Sequence, residues 1–160
     1  MISVKMTTTK GELRAMAVAA IADMRRQAIR ILEYAGTQAV NEARRTDKER
    51  DWTDQTGNLR SSIGYIICED GKPIRESAFE QVDGPHRGEA AESGSDRGRE
   101  YAISLAADTS GLALVVVAGM RYAKYVAGRG YNVLSSSQIL AQNLIPKLLE
   151  KQARHDKENG

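Results

Sequence analysis

The sequence is poor in the residue types from which catalytic and metal sites are usually built. It has one cysteine, Cys68, which excludes an intrachain disulfide and any zinc site made of several cysteines. The two histidines, His86 and His155, leave little material for histidine-based chemistry. Aromatic residues make up only 5% of the chain, so a core must consist mainly of Ala, Val, Ile and Leu.

Charge and hydrophobicity are balanced, and this balance excludes several classes of protein. The 23 basic residues nearly offset the 21 acidic residues, so the net charge of +2 predicts no strong general attraction to nucleic acid or anionic lipid. With 41% hydrophobic and 28% charged residues, we expect neither a fully disordered chain nor a membrane protein. The N-terminal arm (residues 1–10) is polar and does not resemble a signal peptide. We therefore expect one soluble domain, residues 1–160, in a reducing cytoplasm.

A long amphipathic helix is predicted over residues 11–45. Apolar residues recur at steps of three and four from Leu13 to Ala43, and Thr9 followed by Glu12 is typical of a capping box. At about 1.5 Å per residue the helix would be about 50 Å long, which is longer than a domain of this size requires. Its face of mixed charge has two interpretations: a solvated surface, or a packing surface for neighbouring subunits.

A β-hairpin is predicted after this helix. Residues 61–69 alternate two sets of apolar side chains, as a strand does. Asp70 and Gly71 are typical of a hairpin turn, and residues 72–79 are predicted to return as the second strand. Pro73 lies near the start of that strand and indicates an edge position, because proline cannot donate to a neighbouring strand.

The remaining chain is predicted to complete a small sheet within residues 61–134. Residues 112–118, Leu-Ala-Leu-Val-Val-Val-Ala, form the most apolar run and are predicted to be the central buried strand. Residues 83–99 are rich in glycine and charge, which predicts a long mobile loop that a partner would order. A short helix is expected at 101–107.

A second long helix is predicted over residues 135–154, with serines available to cap its start. Pro146 is expected to kink this helix or to begin a new segment, since it removes one backbone donor. Residues 155–160 are expected to form a frayed tail. The element order predicts an α+β fold in which the two long helices pack on a small antiparallel sheet.

Sequence patterns of catalysis and metal binding are missing. The chain has neither a Gly-x-Ser-x-Gly elbow nor a Gly-x-x-x-x-Gly-Lys-Ser/Thr loop. Cys68 is predicted to be a small buried side chain, and His86 a solvated one; an enzyme would need a deep pocket that unites His86 with acidic side chains. Four acids alternate briefly as in a calcium loop: Asp47, Glu49, Asp51 and Asp54. We interpret them as solvated side chains of a loop. We therefore expect no catalytic residue, cofactor or metal.

Nucleic-acid binding is the alternative function that the sequence leaves open. Arginines could form a stripe on the long helix, at Arg25, Arg26, Arg30, Arg44 and Arg45. The helix has a net charge of only +2, however, and Tyr34 is the one aromatic residue among these arginines, so specific DNA reading is disfavoured. An accessory protein that binds nucleic acid through these arginines is the alternative, and a lumen that lets DNA pass is compatible with the same charges.

Two segments together resemble a known family. Residues 52–63 (Trp-Thr-Asp-Gln-Thr-Gly-Asn-Leu-Arg-Ser-Ser-Ile) resemble the Thr-Gly-Asn-Leu-Arg-x-Ser-Ile motif of tailed-bacteriophage head–tail joining proteins, also called tail-completion or neck proteins. Residues 117–126 (Val-Ala-Gly-Met-Arg-Tyr-Ala-Lys-Tyr-Val) resemble the same family's Gly-x-x-Tyr-Ala-x-Tyr-Val-Glu signature, with Ala127 where an acid is common. The element order agrees as well, and the resemblance covers residues 10–155.

This resemblance implies a non-enzymatic virion protein at the neck of a phage or prophage particle. Such proteins form a ring, typically of six copies, between the connector on the portal side and the tail tube or tail terminator. DNA would meet the ring only by passing through its lumen, no membrane would be involved, and assembly would take place in the cytoplasm of the bacterial host. No cofactor is implied.

The two motifs supply the candidate site residues. Thr56 is expected to cap a turn, Gly57 to supply an unusual backbone angle and Leu59 to anchor the turn on the core. The other motif side chains have two interpretations each, packing within the chain or contact with a neighbouring subunit. All residues assigned a structural or interface role are Trp52, Thr56, Gly57, Asn58, Leu59, Arg60, Gly119, Met120, Tyr122, Ala123 and Tyr125.

Overall fold

The computed structural model describes residues 8–45, 54–86, 93–128 and 133–159. Its elements are α1 (Lys10–Arg44), α2 (Asn58–Ser61), β1 (Ile63–Glu69), β2 (Lys72–Glu76), α3 (Gly94–Ala106), β3 (Leu112–Ala118), α4 (Ala123–Gly128) and α5 (Ser135–Asn159). Two long helices and a three-stranded antiparallel sheet confirm the α+β prediction. In the described part of the chain no helix combines the length and hydropathy that a membrane span requires.

The helix α1 begins with the predicted capping box. The Thr9 N–H donates to Glu12 Oε2 (2.7 Å), and the Glu12 N–H donates to Thr9 Oγ1 (3.3 Å). The hydrogen bond from the Thr9 backbone, with a further one from its hydroxyl, lowers the pKa of Glu12. Only the C-terminal part of α1 is buried, between Ala35 and Ala43, whereas every residue from 8 to 26 is exposed. The first half of α1 therefore extends beyond the core.

The strand order is β2-β1-β3, so the prediction that residues 112–118 form the central strand is wrong. The central strand is β1, which is buried along nearly its whole length, whereas β3 lies at an edge and is mostly half-buried. The central strand of a sheet packs on both faces and pairs on both sides, and here β1 meets both conditions. A high content of apolar residues does not by itself indicate which strand is central. The edge position of β2 is confirmed, but β2 ends at Glu76 rather than at Phe79.

The two faces of β1 belong to two different apolar clusters, as the alternation in its sequence predicted. Ile63, Tyr65 and Ile67 pack on the face covered by α1, together with Val40 and Ala43. The opposite face packs against α3 through three fully buried β1 and α3 residues, Ile66, Cys68 and Ala102. The prediction of a buried Cys68 is confirmed.

The predicted hairpin turn is present between β1 and β2. Asp70 and Gly71 both have positive φ, 49° and 79°, which is the backbone geometry of a type I′ turn. Asp70 also receives a backbone hydrogen bond from the loop before β3, since the Gly111 N–H donates to Asp70 Oδ1 (2.8 Å). This turn and the loop are thereby held at the same end of the sheet.

The prediction of a mobile loop over residues 83–99 is wrong for its last part, while residues 87–92 lie outside the described residues. Helix α3 begins at Gly94, with Ser93 Oγ accepting from the Asp96 N–H (3.3 Å), so the short helix predicted at 101–107 is longer. Glycine disfavours a helix in isolation. Here it permits close packing of α3 on the sheet, which only the tertiary structure supplies.

Two predictions about the C-terminal third also need correction. Pro146 lies inside a helix that continues on both sides of it, so it does not begin a new segment. The expected tail, residues 155–160, is helical as far as Asn159, and the Gln152 side chain donates to Asp156 (2.8 Å). The last described strand ends at Ala118 and α4 follows it, while residues 129–132 of the predicted sheet region lie outside the described residues. Pro146 removes one backbone hydrogen-bond donor from α5. The packing of α5 along α1 stabilises α5 in spite of this missing hydrogen bond.

The assignment of buried and exposed residues can be tested by making the same substitution, isoleucine to alanine, at one buried and one exposed position. Ile66→Ala removes a side chain that is 0% exposed and should lower the free energy of unfolding by about 2–5 kcal/mol. Ile21→Ala removes the same atoms from a side chain that is 67% exposed and should change it by less than about 0.5 kcal/mol. Urea unfolding followed by circular dichroism measures both. Equal effects would contradict the assignment of the core.

Candidate functional site

The two motif segments meet at one end of the sheet. Because Ile63 pairs with Ala118, the residues that precede β1 lie beside the residues that follow β3. The Gly119 N–H donates to the Ser62 carbonyl oxygen (3.1 Å), and the Met120 N–H contacts Ser62 Oγ at 3.3 Å. We call this region, residues 54–62 and 119–125, the motif junction.

The first motif forms the short helix α2, and its predicted turn residues behave as expected. Gly57 has φ of +80°, and a Cβ there would lie 1.9 Å from the Val82 carbonyl oxygen. Leu59 is almost completely buried in the core. The Thr56 hydroxyl accepts from the Asn58 N–H at 3.4 Å, which is a long hydrogen bond. The predicted backbone angle and core anchor are therefore confirmed, and Thr56 caps the turn only weakly.

Asp54 provides most of the capping at the start of α2, and the prediction that it is a solvated loop acid is wrong. Its side chain is buried, and its Oδ2 accepts from the Arg60 N–H (2.8 Å) while Oδ1 accepts from the Leu59 N–H (3.4 Å). Arg60 Nε lies 3.5 Å from the same Oδ2. A carboxylate at this place satisfies free backbone donors at the start of α2.

The ion pair with Asp54 gives Arg60 a partner within its own chain. Of the two interpretations of Arg60, the structure supports packing within the chain. Asn58 has a similar role, because its Oδ1 accepts from the Gly94 N–H (3.3 Å) and so joins α2 to α3. Trp52 lies outside the described residues.

Helix α3 packs closely on the motif junction through glycines that were predicted to lie in a loop. A Cβ on Gly94 would lie 2.2 Å from the Asn58 carbonyl oxygen, and a Cβ on Gly98 would lie 2.4 Å from that of Ser62. A Cβ on Gly119 would be equally close, 2.5 Å from the Gly98 Cα. A signal existed in the sequence, because small residues recur every four positions on one helical face: Gly94, Gly98, Ala102 and Ala106.

The second motif places its tyrosines at the surface. Tyr122 is 39% and Tyr125 is 62% exposed, so neither side chain is packed wholly within the chain, and contact with a neighbouring subunit stays a prediction. Ala123 is buried and its N–H donates to the Met120 carbonyl oxygen (2.9 Å). Met120 packs against the core from its edge. The small and flexible residues of the motif thus face inward.

Tyr122 connects the two motifs electrostatically. Partial burial raises the pKa of its phenol, and the negative charge of Asp54 raises it further, while a hydrogen bond with Thr56 acts in the opposite direction. Since the shift is upward, it contributes stability below the ordinary tyrosine pKa of 10.0, and this contribution is lost as the pH rises through the raised value.

The arginines of α1 are largely engaged in ion pairs. Arg25 donates to Glu69 at the end of β1 (2.9 Å from Nε), and this pairing lowers the pKa of Glu69 and raises that of Arg25. Arg44 donates to the Ile63 carbonyl oxygen (2.7 Å), and burial lowers its pKa. Further ion pairs join Arg44 to Glu80 (3.4 Å), Arg26 to Asp23 (2.9 Å) and Arg45 to Glu42 (3.2 Å).

The residues considered for chemistry lie apart. His86 is exposed in a turn, where its N–H donates to the Gln55 carbonyl oxygen (2.7 Å), and His155 is exposed on α5. Cys68 is buried beneath α3, where its Sγ lies 3.1 Å from the Thr109 hydroxyl. Within the described ranges no three His, Cys, Asp or Glu side chains form a group that could hold a metal ion.

No protein-family model, curated protein or solved structure significantly matches this chain. The function must therefore be inferred from the motif junction and from the surfaces that surround it.

The close approach at Gly98 predicts a strong effect of one added carbon. Gly98→Ala should lower the free energy of unfolding by about 1–3 kcal/mol, because backbone rather than a movable side chain opposes the new Cβ. Gly11→Ala is the matched control: the nearest atom, Thr9 Oγ1, is 4.0 Å away, and alanine favours a helix by about 1 kcal/mol over glycine. Thermal unfolding measures both. A neutral Gly98→Ala variant would refute the close packing of α3.

The negative charge of Asp54 raises the pKa of Tyr122, so removal of this charge should change how the phenol titrates. Asp54→Asn removes a negative charge that opposes ionisation of the phenol, so the pKa of Tyr122 should fall towards its ordinary value. A pH titration of ring-labelled tyrosine by NMR measures this pKa, with Tyr122→Phe assigning the signal. Asp23→Asn, which removes a carboxylate paired with Arg26 on α1, should leave it unchanged. An unchanged pKa in Asp54→Asn would show that the two motifs are not in electrostatic contact.

Proposed function

We propose that this chain is a structural protein of the head–tail junction of a tailed phage or prophage, and that it acts as a ring of identical subunits. The observation that carries this proposal is the motif junction. The two segments whose sequences resemble the neck-protein family are almost sixty residues apart, yet the Gly119 and Met120 N–H groups donate to Ser62, and the charge of Asp54 acts on Tyr122. Two motifs that build one structural unit support a common origin for both.

The exposed half of α1 is a second source of support. It carries five large apolar side chains that are 43% to 68% exposed: Leu13, Met16, Val18, Ile21 and Met24. Water-exposed apolar surface of this extent is unusual on a monomer and indicates contact with other protein. A helix that stands about 25 Å clear of its own core suits a subunit that must reach its neighbours in a ring.

The outer side of the motif junction offers a further contact surface. Tyr122 and Tyr125 are exposed beside Lys124, and aromatic side chains of this kind are enriched at the centres of protein interfaces. In the proposed assembly these surfaces contact other copies of the chain and the flanking virion proteins, which are the portal-side connector and the tail tube or tail terminator. The ring, with six copies as the family resemblance implies, would lie in the virion neck after assembly in the host cytoplasm.

The proposed relation to DNA is passage through the lumen of the ring. The pairing of Arg25, Arg26, Arg44 and Arg45 with acceptors in the chain leaves them less available to bind phosphates than a free arginine stripe would be. For this reason we favour the neck protein over an accessory protein that binds nucleic acid through α1.

Purified particles of the phage or prophage that encodes the chain provide the test. Mass spectrometry should detect the protein in tailed particles, and cryo-electron microscopy should locate it as a ring at the neck. Ile21→Lys combined with Met24→Lys should leave folding intact, because both side chains are exposed, but should remove the protein from particles by at least about tenfold, since buried lysines oppose an apolar contact. Asn143→Lys, an exposed change on α5, is the control and should be incorporated normally.

A chain that is absent from particles, or that occurs in them outside the neck, would refute the proposed function. Monomeric behaviour of the purified protein alone would not, because such rings can form on docking.

A further inference from the structure

The two edges of the sheet are very different. The β2 edge is protected in the way that natural edge strands usually are, by Pro73, by the charged residues Lys72 and Arg75, and by a register irregularity opposite Ile67 and Cys68. The β3 edge has neither proline nor charge over its whole length, Leu112–Ala118. An uncharged, β-branched edge of this length is a template for another strand.

Some backbone groups of β3 point outward and hydrogen bond to no residue that the structure describes. Gly111 and Gly119 hydrogen bond to the β1 side, through Asp70 and Ser62 respectively. In an antiparallel pair the N–H and C=O of a residue point to the same side, and the side alternates along the strand. The backbone groups of Leu112, Leu114 and Val116 therefore point away from β1, and no described residue bonds to them.

This edge borders an apolar groove that is lined by Leu114 and Val116 of β3 together with Leu134, Ala141 and Ile145 from the α5 region. A second, separate pocket lies near the end of β3 and is lined in part by two exposed residues of α3, Tyr101 and Leu105. A strand added here would place every second side chain against Leu114 and Val116, so the groove suits a strand with apolar residues at alternate positions.

We propose that the segment 2–7 of a second copy of this chain adds to β3 as a fourth strand. The segment itself, Ile-Ser-Val-Lys-Met-Thr, lies outside the described residues. Its sequence alternates apolar residues (Ile2, Val4, Met6) with polar ones, contains neither glycine nor proline, and lies two residues before α1. The apolar set would fill the groove beside Leu114 and Val116, and its backbone would satisfy the free groups of β3. This inference rests on the proposed function, for which it supplies the contact between subunits.

Geometry favours a second copy over the segment's own sheet. Arg25 is paired with Glu69, which lies opposite Leu112, so Arg25 marks the level at which the sheet ends. From there α1 extends about 22 Å to Lys10, away from the sheet. Residues 2–9 span at most about 28 Å when extended, so the return along α1 leaves too few of them to pair with β3 of the same chain.

The same geometry makes the contact directional. Each copy offers a free edge at β3 and carries its donor segment on the far end of α1, so donor and acceptor are different surfaces. Repetition of one such head-to-tail contact generates a closed ring when the rotation between copies closes. A contact between two identical β3 edges would instead end at a dimer.

Cysteine cross-linking of the full-length protein tests the proposal. Val4→Cys and Val116→Cys are made in separate chains, each also carrying Cys68→Ala, and the two are mixed under mild oxidation or with a short bismaleimide. We expect a cross-linked dimer of one chain of each type. Ser3→Cys is the matched donor control, because it lies on the opposite face of the strand, and Arg75→Cys on β2 is the acceptor control; both should give at least about tenfold less product.

Two readouts separate this inference from the proposed function. Light scattering of the purified protein over a wide concentration range should show an oligomer that Ile2→Lys combined with Val4→Lys abolishes and that Ser3→Lys leaves intact. A cross-link that forms only when both cysteines are in one chain, an oligomer that these variants do not change, or a strict monomer without cross-links overturns the inference. If such a protein is nevertheless found as a ring in particles, the proposed function stands and another contact builds the ring. Absence from particles refutes the function by itself.

Discussion

The backbone contact at Gly98 is the constraint on which the rest of the structure depends. There α3 lies against the Ser62 carbonyl and against Gly119, with no space for a β-carbon. This contact sets the distance between α3 and the sheet, so it also determines how Ile66 and Cys68 are buried beneath α3. Because Ser62 immediately precedes β1 and Gly119 immediately follows β3, at the same end of the pair, the same contact holds the register of that pair.

The motif junction uses the close approach at Gly98 to hold polar groups that would otherwise be costly to bury. Asp54 is buried, but its carboxylate satisfies two backbone donors of α2 and pairs with Arg60. A buried carboxylate without these partners would be strongly unfavourable. Its charge in turn acts on Tyr122 at the surface. Packing inside the junction is thus coupled to the part of it that another protein could contact.

Much of the fold could be predicted because the relevant signals are local. The capping box at Thr9, the turn at Asp70 and Gly71, and the two-faced alternation along β1 each depend on residues that are neighbours in sequence. The candidate site was predictable in part: Gly57 and Leu59 have the expected roles, whereas Asp54 was missed because its donors are five and six residues away. The exposure of Tyr122 and Tyr125 could not be predicted, since a three-residue spacing is the same in a core and on a surface.

The sequence by itself determined the two long helices, the approximate positions of the three strands, where the hairpin turns, and which faces of β1 are apolar. Only the tertiary structure decided that β1 rather than β3 is central, that Gly94 and Gly98 begin a helix, and that α5 continues through Pro146. The physical reason is the range of the forces involved. Capping and periodicity act over three or four residues, whereas strand position and tolerance of glycine or proline depend on which distant backbone lies alongside.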